Sequence, residues 1–267
     1  MRRIFLLLWA TTLIIPTEGY TECIDGNCVS GKGVFIYPGG EKYSGQWKNG
    51  KHHGEGVLEY PDGTRYDGQW SNGEIKGEGV YHHKGRKTYT GYIINGKRHG
   101  QGTYIYSDGS VYTGQWVSNR RSGYGVYRAQ NGEKYEGQWD NDLFNGKGSL
   151  KYSDGTLYSG EWKKGRRDGT GTLVMPDGST YKGEFADNEI CGHGIYISAE
   201  GEKYVGEWKN GKRHGKGSCT FSDGNRYIGG WENGKENGEG VLIVYPLGLE
   251  YYVKMEKGEM KLMKRRH

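Results

Sequence analysis

From residue 43 onward, apolar and polar positions alternate in short runs, and no helical period appears. Tyr43, Gly45 and Trp47 stand at every second position, with Lys42, Ser44, Gln46 and Lys48 between them. Successive side chains of an extended strand point to opposite faces, so Tyr, Gly and Trp share one face. A second alternating run follows at Gly54, Gly56, Leu58 and Tyr60. Asn49-Gly50 separates the two runs and Asp62-Gly63 follows them, both of them turn signals. The pattern predicts strand, a loop of about five residues, strand and a tight turn.

This unit recurs. Tyr-x-Gly is found at Tyr43, Tyr66, Tyr89, Tyr112, Tyr135, Tyr158, Tyr181, Tyr204 and Tyr227, every 23 residues, so nine units fill 43–249. With the Tyr as position zero, position +4 is Trp except at Ile93 and Phe185, and positions +11 and +13 are Gly throughout. Position +7 is Gly or, at Asn119, Asp142 and Asn188, a residue that tolerates positive φ. A degenerate copy occupies 20–42, and another fills 250–267 with a basic tail.

Repeats of this kind contact only their sequence neighbours. The expected fold is all-β: an elongated, single-sheet antiparallel meander of 23-residue β-hairpin repeats, about 85 Å long at two strands per unit. The glycines leave the sheet surface open, so Tyr and Trp rings can lie on it and build a core. Coiling of the sheet is expected to turn this aromatic face inward as a groove.

Composition sharpens the picture. Glycine supplies 50 of 267 residues without a three-residue period, which excludes collagen. Aromatics reach 13%, which argues against disorder. Residues 1–19 read as a secretory signal peptide: basic Arg2-Arg3, apolar Ile4 to Ile15, then Pro16 and a small-residue cleavage site before Tyr20. The expected location is therefore exported: periplasmic, secreted or surface-associated, with a signal anchor as the weaker reading. The net charge of +5 is too mild to indicate nucleic acid.

The pattern Tyr-x-Gly-x-Trp-x-x-Gly followed by His-Gly-x-Gly, clearest at His53-Gly54-Glu55-Gly56 and His99-Gly100-Gln101-Gly102, resembles the MORN repeat. The resemblance implies an elongated β-meander used for binding or scaffolding, with self-association, partner docking and phospholipid contact among the family's roles. Some members join the repeats to a kinase or methyltransferase domain. Here the repeats fill 43–249, so no enzymatic activity is carried over.

Several apparent sites dissolve into the repeat. Gly45-x4-Gly50-Lys51 and its counterparts lack the following Ser or Thr and the helix of a phosphate-binding loop. His52-His53 and His82-His83 are adjacent strand residues on opposite faces, so they read as loop or packing histidines. The expectation is no catalytic, cofactor-binding or metal residue and no cofactor. In an exported chain, Cys23 and Cys28 are a candidate disulfide closing the sheet end. Cys191 and Cys219 fall too far apart in the meander to bond.

One charge pattern suggests a surface. Positions +8 and +9 carry Lys51-His52, Lys97-Arg98, Arg120-Arg121, Arg166-Arg167 and Lys212-Arg213. Glu74-Ile75, Leu143-Phe144 and Glu189-Ile190 interrupt the run. The meander places these loops along one edge, with Asp62, Asp108, Asp154, Asp177, Glu200 and Asp223 along the other. Lys51, Lys97, Arg98, Arg120, Arg121, Arg166, Arg167, Lys212 and Arg213 are thus candidates for an anionic surface, whether phospholipid, phosphate polymer or acidic protein, the plain alternative being exposed loops charged for solubility. The reading favoured by the sequence is a non-enzymatic scaffold for protein partners, a homodimer among them, with anionic-lipid binding as the alternative.

Overall fold

The computed structural model describes residues 22–85 and 87–266. The signal-peptide reading of 1–19 falls outside the described residues, as does Tyr20. The described residues form strands and turns, with no helix among them. The chain divides into two compact units, one ending at Ile75 and one beginning at Lys76.

The first unit contains β1 (Glu22–Gly26), β2 (Gly31–Ile36), β3 (Lys42–Lys48), β4 (Lys51–Glu59) and β5 (Arg65–Ser71). After β6 (Glu74–His83), which begins at the boundary, the second continues with β7 (Lys87–Ile94), β8 (Lys97–Ile105), β9 (Val111–Val117), β10 (Arg120–Arg128), β11 (Lys134–Asp140) and β12 (Leu143–Lys151). Then follow β13 (Leu157–Lys163), β14 (Arg166–Val174), β15 (Thr180–Ala186), β16 (Glu189–Ile197), β17 (Lys203–Lys209) and β18 (Lys212–Thr220). The last four are β19 (Arg226–Glu232), β20 (Lys235–Val244), β21 (Leu249–Glu256) and β22 (Glu259–Arg265). Within each unit, every strand pairs antiparallel with its sequence neighbours, in an open meander.

The two connections within a repeat have lengths opposite to those the sequence suggests. Asn49-Gly50 alone joins β3 to β4, whereas Tyr60 to Thr64, five residues, join β4 to β5. In the short turn both residues have positive φ, 51° and 67°, as a two-residue hairpin requires. In the longer loop the Tyr60 amide donates to the Thr64 carbonyl at 2.8 Å, and Asp62 Oδ1 accepts from the Thr64 amide at 2.9 Å.

The alternation in the sequence starts the second strand at the +11 glycine; in the structure it starts earlier. Positions +8 to +10 already pair across the hairpin: Val117 with Arg120, Trp116 with Arg121, Gln115 with Ser122. The next pair is Gly114 with Gly125, so Gly123 and Tyr124 bulge out. Gly123 has φ +58°, and its counterparts are positive too, which is why +11 stays glycine.

The +2 and +13 glycines form a bare band across the strands, pairing as Gly102–Gly114, Gly125–Gly137 and Gly148–Gly160. The position-zero tyrosines lie flat on it. A Cβ on Gly125 would come within 2.3 Å of Tyr112 Oη and 2.6 Å of its ring. Tyr43, Tyr66, Tyr112, Tyr135, Tyr158, Tyr181 and Tyr204 are fully buried. This is the expected core. Its edge-on ladder runs from Tyr112 to Trp116 at 5.0 Å, to Trp139 at 5.3 Å, and on through Tyr135 and Trp162.

The rings also repair what the bulge breaks. Each of the nine tyrosines donates from Oη to the carbonyl at its own +3, for instance Tyr135 to Gln138 at 2.8 Å. Each of the seven tryptophans at +4 donates Nε1–H to the +13 glycine carbonyl of the previous repeat, as Trp70 does to Gly56 at 3.0 Å. The +3 side chain returns the favour on the opposite strand: Gln138 Oε1 accepts the Lys147 amide at 3.0 Å and Glu184 Oε1 the His193 amide at 2.8 Å.

Candidate functional site

Among the described residues the rings of this face are buried in the core, so they pack the sheet instead of lining the expected groove. Tyr and Trp fill the glycine band, and in the repeats with His, Phe or Arg at +9 a flat group covers them. His52 stacks on Tyr43 at 3.6 Å and Phe144 on Tyr135 at 3.7 Å. The open concavity is on the other face, where the same band is floor.

This assignment separates the candidate cations into two sets. Lys51, Lys97, Arg120, Arg166 and Lys212, all at +8, are exposed beside the two-residue turns. Arg120 donates to Asn141 Oδ1 at 3.2 Å and Arg166 pairs with Asp187 at 3.0 Å. The +9 arginines turn back onto the rings. Arg98 sits 4.3 Å from the Trp116 ring centre, Arg121 4.1 Å from Trp139, Arg167 5.4 Å from Phe185 and Arg213 5.1 Å from Tyr204. Their guanidinium donors are also engaged: Arg98 with the Asn119 carbonyl at 3.0 Å, Arg121 with Asp142 at 3.1 Å, Arg167 with the Asn188 carbonyl at 2.8 Å, and Arg213 with Glu202. These four charges serve the core, so the exposed basic edge is the +8 row.

The predicted acidic edge consists of turn formers. Asp108, Asp154, Asp177 and Asp223 each accept the backbone amide two residues on, at 2.8–2.9 Å. Those hydrogen bonds hold the Asp154 and Asp177 carboxyls below the usual carboxylate range. Cys23 and Cys28 form a disulfide with Cα atoms 5.9 Å apart, whereas Cys191 and Cys219 are unbonded. Burial pushes the Cys219 thiol up to about 12. Among the described residues, no group of His, Cys, Asp and Glu could hold a metal ion. No helix among them is long and apolar enough to cross a membrane.

The open face of the second unit carries a trough of about 940 Å³ crossing β10 to β17. Its floor is the paired glycines, among them Gly137, Gly148, Gly160 and Gly171. One wall is the row beside position zero, with Glu136, Ser159 and Lys182; the other holds Lys147, Glu161 and Thr170. Charges of both signs line it, and Ile195 and Val205 close one end. Tyr124 donates to Glu136 Oε1 at 2.7 Å, and Lys134 Nζ meets Oε2 at 2.6 Å. Those contacts, the lysine's foremost, hold the Glu136 carboxyl down. The first unit has a smaller counterpart of about 520 Å³ between Asp25, Lys32, Glu55 and Asp67. Sequence reasoning missed the trough because it assigned both glycine and ring to one surface. The signal was present in the run of small and charged residues at the odd positions of the first strand.

The repeat frame agrees with a known family model. No curated protein sequence matches the chain. Among solved structures, the TCP10 domain of Danio rerio CPAP in complex with a peptide of Danio rerio STIL is 13% identical, with 88% of this chain and 99% of that chain covered at a TM-score of 0.44. The same domain without the peptide is also 13% identical, covering 79% and 99%, with a TM-score of 0.43. The MORN repeat matches ten segments: 30–42, 43–65, 66–84, then 23-residue blocks from 89–111 to 204–226, and 227–243. The breaks fall at the position-zero tyrosines, and the degenerate copy before Tyr43 is matched over its second half. The chain belongs to the MORN repeat family.

Proposed function

We propose that this chain is a non-enzymatic scaffold that docks protein partners on the open face of its second unit, in an exported compartment. The observation that carries the reading is the inequality of the two faces. One is sealed by rings whose donors are satisfied inside the sheet; the other offers a trough of about 940 Å³ with both signs of charge on its walls. Such a surface suits an extended protein segment with mixed charge, since paired charges set register and exclude wrong partners. Export is supported by the basic start and apolar run before Pro16.

The test is photo-crosslinking from position 149 in the trough, with the chain expressed in its natural host and the exported fraction recovered. A defined protein adduct is expected, and Ser159→Trp with Thr172→Trp, which fill the trough, should abolish it while circular dichroism stays unchanged. An adduct that survives the filled trough sinks the reading. The exposed +8 row supports a second reading, contact with an anionic surface through Lys97, Arg120, Arg166 and Lys212.

A further inference from the structure

Two tyrosines depart from the repeat in a way that its fold does not need. At +3, Gln46, Gln138, Glu184 and Glu207 accept the +12 amide across the bulge. On β7 that place holds Tyr92, a ring instead of an amide or carboxylate. At +12, where later repeats have Lys147, Thr170 and Lys216, β10 holds Tyr124. Both rings belong to the open face and not to the core, Tyr92 exposed to 38% and Tyr124 to 53%. Tyr252 is exposed on the same face, but Arg266 sits over its ring, 5.5 Å from the centre.

The surface between Tyr92 and Tyr124 is uncharged. The band glycines Gly91, Gly102, Gly114 and Gly125 pair in turn across β7 to β10. Tyr92, Gln101, Gln115 and Tyr124 each adjoin one of them, in a single row across the strands. The row on the other side of the band is Thr90, Thr103, Thr113 and Val126, with the Thr103 and Thr113 hydroxyls 3.1 Å apart. Apart from Lys97 beside its turn, β7, β8 and β9 present no Asp, Glu, Lys or Arg on this face, in a chain that is 26% charged. Charge returns on β10 with Arg120 and Arg128.

A neutral sugar chain fits this chemistry. A pyranose has an apolar C–H face that lies on an aromatic ring. Its hydroxyls donate and accept, as amide side chains and threonine hydroxyls also do. A protein segment held by charge finds no partner here, whereas an uncharged ligand loses nothing. The two rings stand three strand steps apart, about 14 Å, so a ligand that touches both is a chain of several sugars. We infer that the open face of β7 to β10 binds an extended neutral oligosaccharide. Its sugar rings stack on Tyr92 and Tyr124, and Gln101, Gln115 and the threonines take its hydroxyls. This site lies beside the trough and is separate from the docking proposed there, with Tyr124 at their border.

Isothermal titration calorimetry of the purified chain tests it, with β-linked hexasaccharides and disaccharides of glucose, mannose and N-acetylglucosamine as probes. At least one hexasaccharide should bind, and at least ~10-fold more tightly than its disaccharide, because it engages both rings. The affinity should be the same at low and high salt, since no charge takes part. Tyr92→Gln with Tyr124→Thr installs residues that the repeat uses elsewhere, so circular dichroism should stay unchanged while binding weakens at least ~10-fold. Ser159→Trp with Thr172→Trp, which fill the trough, should leave binding intact. Failure of every hexasaccharide to bind, binding that salt screens, or binding that survives the loss of both rings overturns the inference. The trough-dependent adduct is read independently of all these results, so the docking proposal stands or falls on its own.

Discussion

Glycine at +13 shows how much one missing Cβ decides. Gly125 lies under the Tyr112 ring and opposite Gly114, whose own Cβ would come within 2.5 Å of Gly125 Cα. Gly125→Val must displace a fully buried ring or force neighbouring strands apart, and should cost at least about 1–3 kcal/mol in denaturant unfolding. Thr113→Ala, on the exposed face beside it, should stay within about 0.5 kcal/mol; equal losses for the two variants would contradict the assignment of faces. The +7 residues carry a second lesson. Asn119, Asp142 and Asn188 satisfy the positive φ expected from the sequence, at 73°, 70° and 75°. They also hold Arg98, Arg121 and Arg167 from the preceding repeat. Position +7 departs from glycine only after repeats with Arg at +9, and Arg213, which uses Glu202, is followed by Gly234. That correlation was legible in the chain; its cause was not, because the partners stand 21 residues apart.

At the scale of the hairpin, the +9 side chain acts as a wedge between one repeat's Tyr and the next repeat's Trp. Arg, Phe and His all fill it because each presents a flat surface to the tyrosine ring. His52 is the titratable case. Its ring stacks on Tyr43, lies 4.7 Å from Trp70 and meets Tyr37 Oη at 2.7 Å. Burial lowers its pKa to about 4 from an ordinary 6.5. The folded state thus binds fewer protons than the unfolded one between these values, and stability is lost as pH falls through that window. His52→Phe, copying the wedge at Phe144, should flatten that section of the pH–stability curve of the first unit, read by the fluorescence of its tryptophans. A curve of unchanged slope would show that His52 does not set it.

For the molecule as a whole, the repeat sorts its charges by function. Arginines at +9 pack on the core rings and aspartates shape the longer loops, whereas the +8 cations are exposed and charges of both signs line the trough. Anionic vesicles distinguish the two kinds of surface. If the +8 row binds them, co-sedimentation should fall as salt rises, since screening acts on exposed charges. Arg120→Glu with Arg166→Glu should abolish it, while the trough-filling substitutions leave it intact. Salt-insensitive binding, or binding by the charge-reversed variant, would remove the anionic-surface reading.

The sequence by itself determined the all-β meander, its 23-residue frame and the ring-on-glycine core, because alternation and recurrence are local properties of the chain. It placed the turn residues correctly but exchanged the lengths of the two connections: a bulge is visible only once the partner strand fixes the register. Tertiary structure alone decided which cations face solvent and which face carries the trough. Both depend on groups one repeat apart in sequence and one strand apart in space. A residue's offset names its face; only pairing with the neighbouring strand determines what covers it.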